Sequence, residues 1–264
     1  MECLDTSYGM PVSDPIPPRC SSPRALFVHG AGARGAQWAI WRRRFAAAGV
    51  RAIAPDRSPS SAGLDATRWT DHLAQVRGAL VDLRRAEDGW TLVVGASLGG
   101  LLALAAVAEH PRGVALALVN PLPPSPWASS LPPGMVDGPR RTWSTHGRFA
   151  STDRALAGRP FPERHAAFHA WRDESAALLR EARAGIDVAM PAVPMLVIAA
   201  EDDDVVPADL SSRFALDSGA SLLRVPGDHL GPVMGEGAAA AARLALAWWE
   251  TVRCRVARAT PSAG

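Results

Sequence analysis

The chain has 264 residues, 48% of them hydrophobic and 20% charged, the make-up of one ordinary globular domain large enough to bury a sizeable core. A formal charge of +2 is too small to argue for nucleic acid or an acidic membrane as partner. All 28 basic residues are arginine; without lysine there is no lysine Schiff base, pyridoxal phosphate included, and no Walker A site.

In chain order, residues 1–23 are rich in Pro and Ser without periodicity and read as an extended or disordered arm. They lack the basic start and apolar run of a secretory signal. Cys3, Cys20 and Cys254 match no metal spacing and no disulfide framework. They read as reduced thiols of a cytoplasmic protein. From residue 24 onward, strand-like apolar runs at 25–28, 50–54, 91–94, 114–119, 195–199 and 221–225 alternate with helical patterns at 37–48, 66–86, 97–109, 208–217 and 238–253. Continuous apolar strands, each followed by a helix, predict an α/β fold. Its sheet is mostly parallel, of about six strands, with helices on both faces. No run is long enough to insert in a membrane. Residues 254–264 alternate Arg with small residues and read as a mobile tail.

Residues 121–190 interrupt the alternation. They open on Pro121-Leu122-Pro123-Pro124 and then carry Trp127, Trp143, Phe149, Phe161, Phe168 and Trp171. An insertion of this length is either a lid or a surface elaboration, and its apolar area favours a helical lid between two halves of a core, 24–120 and 191–253. Trp127, Trp143, Phe168 and Trp171 are its candidate substrate contacts. His165, His169 and Asp173 recur at helical spacing and predict one polar helix face. Nothing supplies the further ligands a metal site needs, so no metal is expected there.

In a parallel sheet, functional groups gather beyond the carboxyl ends of the strands. After the third strand comes Gly95-Ala96-Ser97-Leu98-Gly99, a G-x-S-x-G elbow between a strand and a helix. Glycine on both sides of the serine relieves the crowding of so tight a turn. The free N–H groups of the next helix then lie beneath Ser97. The first strand is followed by His29-Gly30-Ala31-Gly32, the second by Asp56-Arg57, the fourth by Asn120-Pro121. The last two are followed by Glu201-Asp202-Asp203-Asp204 and Gly227-Asp228-His229. Serine, then acid, then histidine is the chain order of a hydrolase triad on this architecture.

These residues resemble the α/β-hydrolase superfamily over about residues 24–250. The matches are His29-Gly30-Ala31-Gly32, the Ser97 elbow, Asp203-Asp204-Val205-Val206-Pro207 and Gly227-Asp228-His229. The segment around Trp171-Arg172-Asp173-Glu174-Ser175 also looks like that of bacterial members with a helical cap. The superfamily opens on two strands with no counterpart before Ala25, so a trimmed sheet is expected. The resemblance implies Ser97 as nucleophile and His229 as base and later acid. Its D-x-x-V-P pattern selects Asp203 as the acid that orients His229, with Asp202 and Asp204 as alternatives. The oxyanion donors would be the N–H groups of Leu98 and Ala31, with Gly32 as the neighbour if the register differs. Gly32 also belongs to the candidate substrate-binding set, because the small Ala31-Gly32 pair lets a carbonyl approach the backbone. His29 reads as holding this loop.

A serine nucleophile points to acyl transfer through an acyl-enzyme. The expected activity is hydrolysis of a carboxylic ester or thioester with a mostly apolar acyl part. The partner is therefore a small-molecule acyl substrate, and no cofactor is implied. A cyclase, a C–C bond hydrolase or an acyltransferase would use the same three residues. A ligand-binding member without hydrolysis is the alternative from another class.

Overall fold

The computed structural model describes residues 23–85, 89–134, 138–143 and 149–259. The Pro/Ser-rich arm falls outside them except for Pro23, and so do Cys3, Cys20 and residues 260–264.

Eight strands are described: β1 (Arg24–Val28), β2 (Arg51–Ile53), β3 (Thr91–Ala96), β4 (Val114–Val119), β5 (Arg140–Arg141), β6 (Glu174–Ser175), β7 (Met195–Ala200) and β8 (Ser221–Val225). Six form one sheet in the order β2-β1-β3-β4-β7-β8. Every pairing in it is parallel, with Leu26 opposite Val93 and Val93 opposite Leu116. This is the α/β architecture expected from the sequence. Among the described residues no strand precedes β1.

Alternation along each strand sorts the core into two layers. Leu26, Val28, Val93 and Leu116 face the helices Trp69–Arg85 and Leu98–Glu109. Ala25, Phe27, Leu92 and Val94 face Trp38, Trp41 and Phe45 of the first helical segment and Trp249 of the last helix. Phe27 meets Phe45 edge-on at 5.0 Å between ring centroids, an arrangement in which ring edges meet ring faces. The helix Leu98–Glu109 is buried on all sides from Leu98 to Val107, as its unbroken run of Leu, Ala, Gly and Val demands.

The last helix spans Ala238–Ala259. Residues 254–259 therefore continue it, instead of opening the expected tail. No Gly or Pro stands in the helix to break it before Pro261, and Arg and Ala favour its continuation. Between β4 and β7 run the helices Phe149–Ala155, Phe161–His169 and Ala176–Ala184. The two-residue strands β5 and β6 pair antiparallel, with Arg140 opposite Ser175. Among the described residues no helix is long and apolar enough to cross a membrane.

Candidate active site

All six sheet strands point the same way, so their carboxyl ends share one edge. There β3 turns through Ser97 into the helix Leu98–Glu109. Ser97 sits at φ 52°, ψ −124°, a region that costs a non-glycine residue about 1–3 kcal/mol. The turn is held from both sides. Ser97 N–H donates to Val119 O at 3.1 Å, and Ser97 O accepts from Leu122 N–H at 3.1 Å. A Cβ on Gly95 would lie 2.7 Å from Gly100 Cα, and one on Gly99 would lie 2.8 Å from the carbonyl carbon of His29. Both glycines are therefore demanded by backbone crossing backbone. Leu98 opens the helix, so its N–H belongs to the first turn, which has no acceptor within the helix.

His229 follows β8 and faces Asp203, which follows β7. The ring Nδ1 lies 2.7 Å from Asp203 Oδ2. The Asp203 side chain is 0% exposed and that of His229 15%. Oδ1 of Asp203 accepts from Val205 N–H at 2.8 Å and Val206 N–H at 2.9 Å. The carboxylate can only accept, so His229 Nδ1 carries a proton and the neutral ring keeps its lone pair on Nε2. Of the neighbouring acids, Asp202 is exposed and Asp204 pairs with Arg154 at 3.6 Å. Asp203 is the one in contact with His229. Asn120, at φ 44°, secures the same region. Its Oδ1 accepts from Ala200 N–H at 2.8 Å and its Nδ2 donates to His229 O at 3.0 Å. Asp228 Oδ1 accepts from the N–H groups of Leu230 and Gly231 at 3.1 and 3.0 Å, which fixes the far side of His229.

The loop after β1 rests on two cations, Arg57 buried and Arg172 half-buried. Arg57 is 4% exposed. It donates to His29 O at 2.7 Å, to Gly30 O at 3.1 Å and through Nε to His72 Nδ1 at 2.9 Å. Burial pulls its guanidinium down to about 10, against the opposing pull of Glu174. Arg172 donates to Ala33 O at 2.7 Å and to Arg57 O at 2.9 Å, and its backbone N–H takes Gly32 O at 2.7 Å. Asp56 Oδ1 accepts Gly35 N–H at 2.6 Å. His29 Nδ1 donates to Gly30 O at 2.8 Å and Nε2 accepts Arg57 N–H at 3.1 Å. That ring is neutral, and burial, reinforced by the Arg57 charge, holds its pKa well below the usual value. Burial and the same charge bring His72 down to about 3.

Over this edge lies a cavity of ≈ 560 Å³ lined by Ser97, His229, Ala31, Trp143, Phe168 and Trp171 among others. Its size is that of a small-molecule site. Among the described residues no group of three His, Cys, Asp or Glu side chains is placed to hold a metal ion.

A model of the Alpha/beta hydrolase family matches residues 25–244. The chain belongs to the alpha/beta hydrolase family. Among solved structures, a pyrethroid hydrolase from Sphingobium faniae JZ-2 is similar at TM-score 0.62 and 20% identity, over 85% of this chain and 96% of that one. Tomato methylketone synthase I complexed with 2-tridecanone is similar at TM-score 0.65 and 16% identity, over 84% and 96%. Polyneuridine aldehyde esterase is similar at TM-score 0.64 and 16% identity, over 85% and 98%. At such identities the likeness is one of fold. No curated protein matches the chain.

In this α/β hydrolase the cavity gathers Ser97, His229, Ala31, Trp143, Phe168 and Trp171, with Asp203 behind His229. Two predicted contacts lie elsewhere. Trp127 donates from Nε1 to Asp217 at 2.9 Å and packs edge-on against Phe214, 5.2 Å between ring centroids. It fastens the segment to the helix Ala208–Asp217 instead of lining the cavity. Gly32 lies under the Trp143 ring, and a Cβ there would also meet Arg172 O at 2.8 Å. Its N–H reaches Glu174 Oε2 at 3.4 Å. Asp173 does not share a helix face with His165 and His169. The helix ends at His169, because Arg172 is drawn out to bond Gly32 and Ala33. Sequence reasoning missed the supports Asn120, Arg57, Arg172 and Glu174. Asn120 and Arg57 carried a sequence signal in their position just after strands, Arg172 and Glu174 only in the cap-like segment Trp171-Arg172-Asp173-Glu174-Ser175.

Proposed function

We propose that the protein is a serine hydrolase that cleaves a carboxylic ester or thioester through an acyl-enzyme on Ser97. The observation that carries this is the 2.7 Å contact between His229 Nδ1 and Asp203 Oδ2, on a cavity that also holds the elbow serine. Nε2 of His229 takes the Ser97 proton as Oγ attacks the carbonyl carbon. The tetrahedral oxyanion receives the N–H groups of Leu98 and Ala31. Asp203 keeps the proton on Nδ1 and stabilises the imidazolium. Collapse expels the alkoxide or thiolate, which takes the proton from Nε2. A water then releases the acid by the same steps, and Ser97 is regenerated. Residues 121–190 act as the lid, with Trp143, Phe168 and Trp171 against the apolar acyl part. Ester cleavage accords with the name of one similar structure, polyneuridine aldehyde esterase, and hydrolysis with that of another, a pyrethroid hydrolase.

The test is intact mass after treatment with a fluorophosphonate. One adduct is expected on the parent chain and none on Ser97→Ala or His229→Ala. An unlabelled parent, or a labelled Ser97→Ala, removes the acyl-enzyme mechanism.

A further inference from the structure

We propose that the substrate carries an anionic group, bound by Arg141 and Arg183 in the same cavity as Ser97; this rests on the serine-hydrolase assignment above. Three arginines line that cavity, Arg141, Arg154 and Arg183. Arg154 has its counter-charges, Asp204 at 3.6 Å and Asp228 at 3.7 Å. Arg141 and Arg183 meet no carboxylate among the described residues.

Both guanidiniums are nevertheless held in place. Arg140 and Arg141 are successive strand residues, so their side chains leave opposite faces. Arg140 turns away and grips both oxygens of Asp65 at 2.8 Å. Arg141 turns to the cavity and lies over the Trp143 ring, 5.7 Å from its centroid, where the ring face favours a cation. Arg183 stands one helical turn after Leu179 in Ala176–Ala184, and both line the cavity. It donates to Pro132 O and lies against Gly134, where a Cβ would come within 2.6 Å of its Cζ. Glycine at 134 therefore makes room for this guanidinium.

A carbonyl and an aromatic face orient a guanidinium without neutralising it. Much of the rest of the wall is apolar, including Leu122, Leu179, Val205 and Val233. Arg183 is half-buried and Arg141 reaches the cavity from its exposed rim, so an anion that completes their forks of donors adds charge-assisted hydrogen bonds at the edge of an apolar wall. Carboxylate and phosphate both fit that fork. The cavity thus joins an ester-cleaving serine to apolar walls and two positive charges that meet no carboxylate among the described residues. The matching substrate is an ester or thioester whose acyl or leaving part ends in a carboxylate or a phosphate.

Three esters of similar size separate the cases: phenyl butanoate, phenyl hydrogen glutarate with a carboxylate on the acyl side, and 4-(butanoyloxy)phenyl phosphate with a phosphate on the leaving side. On the parent chain kcat/KM is expected to be roughly tenfold or more higher for one anionic ester than for the neutral one. That ratio should fall toward one in Arg141→Gln/Arg183→Gln, fall part-way in each single variant, and hold in Arg140→Gln. A neutral ester preferred by the parent, or equal losses on all three in the double variant, overturns the proposal. Calorimetry on Ser97→Ala separates the two assignments. If it binds an anionic ester more tightly than the neutral one while the parent turns over none, the acyl-enzyme fails and the anion site stands. If the fluorophosphonate labels Ser97 but no anionic ester is favoured in rate or binding, the anion site fails alone.

Discussion

Asp203 accepts two backbone N–H groups on Oδ1 and faces the His229 ring with Oδ2, so substitution can separate its two tasks. Asp203→Asn keeps a carbonyl oxygen for Val205 and Val206. It puts an NH₂ group against His229 Nδ1. The ring must then accept at Nδ1 and carry its proton on Nε2, which leaves no base for Ser97. The expected loss in kcat is roughly 10³–10⁴-fold, with Tm within a few degrees of the parent. Asp202→Asn, on an exposed neighbour, should keep the parental rate within about twofold, since it makes no bond that the proposed chemistry uses. Steady-state rates and melting curves on the two variants decide the matter. Equal losses in both would mean that the acidic run acts by charge alone, and Asp203 would have no special place in the mechanism.

At the scale of elements, the elbow works because three strands and one helix cross within backbone contact. A Cβ on Gly99 would strike the Val28 and His29 carbonyls, and β1 cannot retreat because β2 and β3 pair with it on both sides. Gly99→Ala should therefore destabilise by at least about 1–3 kcal/mol, as overpacking does. Gly78 offers the control. It lies inside the helix Trp69–Arg85, and a Cβ there would meet nothing within 4 Å, so Gly78→Ala should stabilise by up to about 1 kcal/mol. Thermal melts of the two variants should move in opposite directions, and a common direction would contradict the packing described. The core elements were legible in the sequence because buried parallel strands are continuous apolar runs. Residues 92–94 and 114–119 are apolar throughout and fully buried. The strands β5 and β6 were not legible, because two residues carry no alternation. The contact of Asp203 with His229 was legible because each follows a strand in a recognisable motif. Trp127 misled because an aromatic residue reads alike whether it lines a cavity or pins a loop to Phe214. Arg57 and Arg172 stayed hidden because arginine ordinarily reads as surface, and only tertiary structure brings the two together beneath one loop.

Across the whole molecule, the buried network ties four distant stretches to one another: the loop after β1, the loop after β2, the helix Trp69–Arg85 and residues 172–174. Its two histidines are folded in neutral form. Burial first, and the Arg57 charge second, depress His29 well below its usual pKa and His72 to about 3. In the unfolded chain both return to about 6.5. Below that pH the unfolded state binds protons that the folded state refuses, so stability is complete above about 6.5 and falls with pH. For His72 the loss runs from about 6.5 down to about 3. Each histidine contributes a slope of up to about 1.4 kcal/mol per pH unit in its window. His72→Asn offers an amide oxygen in the place of Nδ1, so Arg57 Nε keeps an acceptor while the titration is removed. Urea unfolding of the parent should weaken between pH 7 and pH 5. The same comparison in His72→Asn should show a loss smaller by up to roughly 2 kcal/mol. Parallel pH profiles in the two proteins would mean that His72 is protonated in the fold. Arg57 would then face a second cation, and the loop that carries Ala31 would need another anchor.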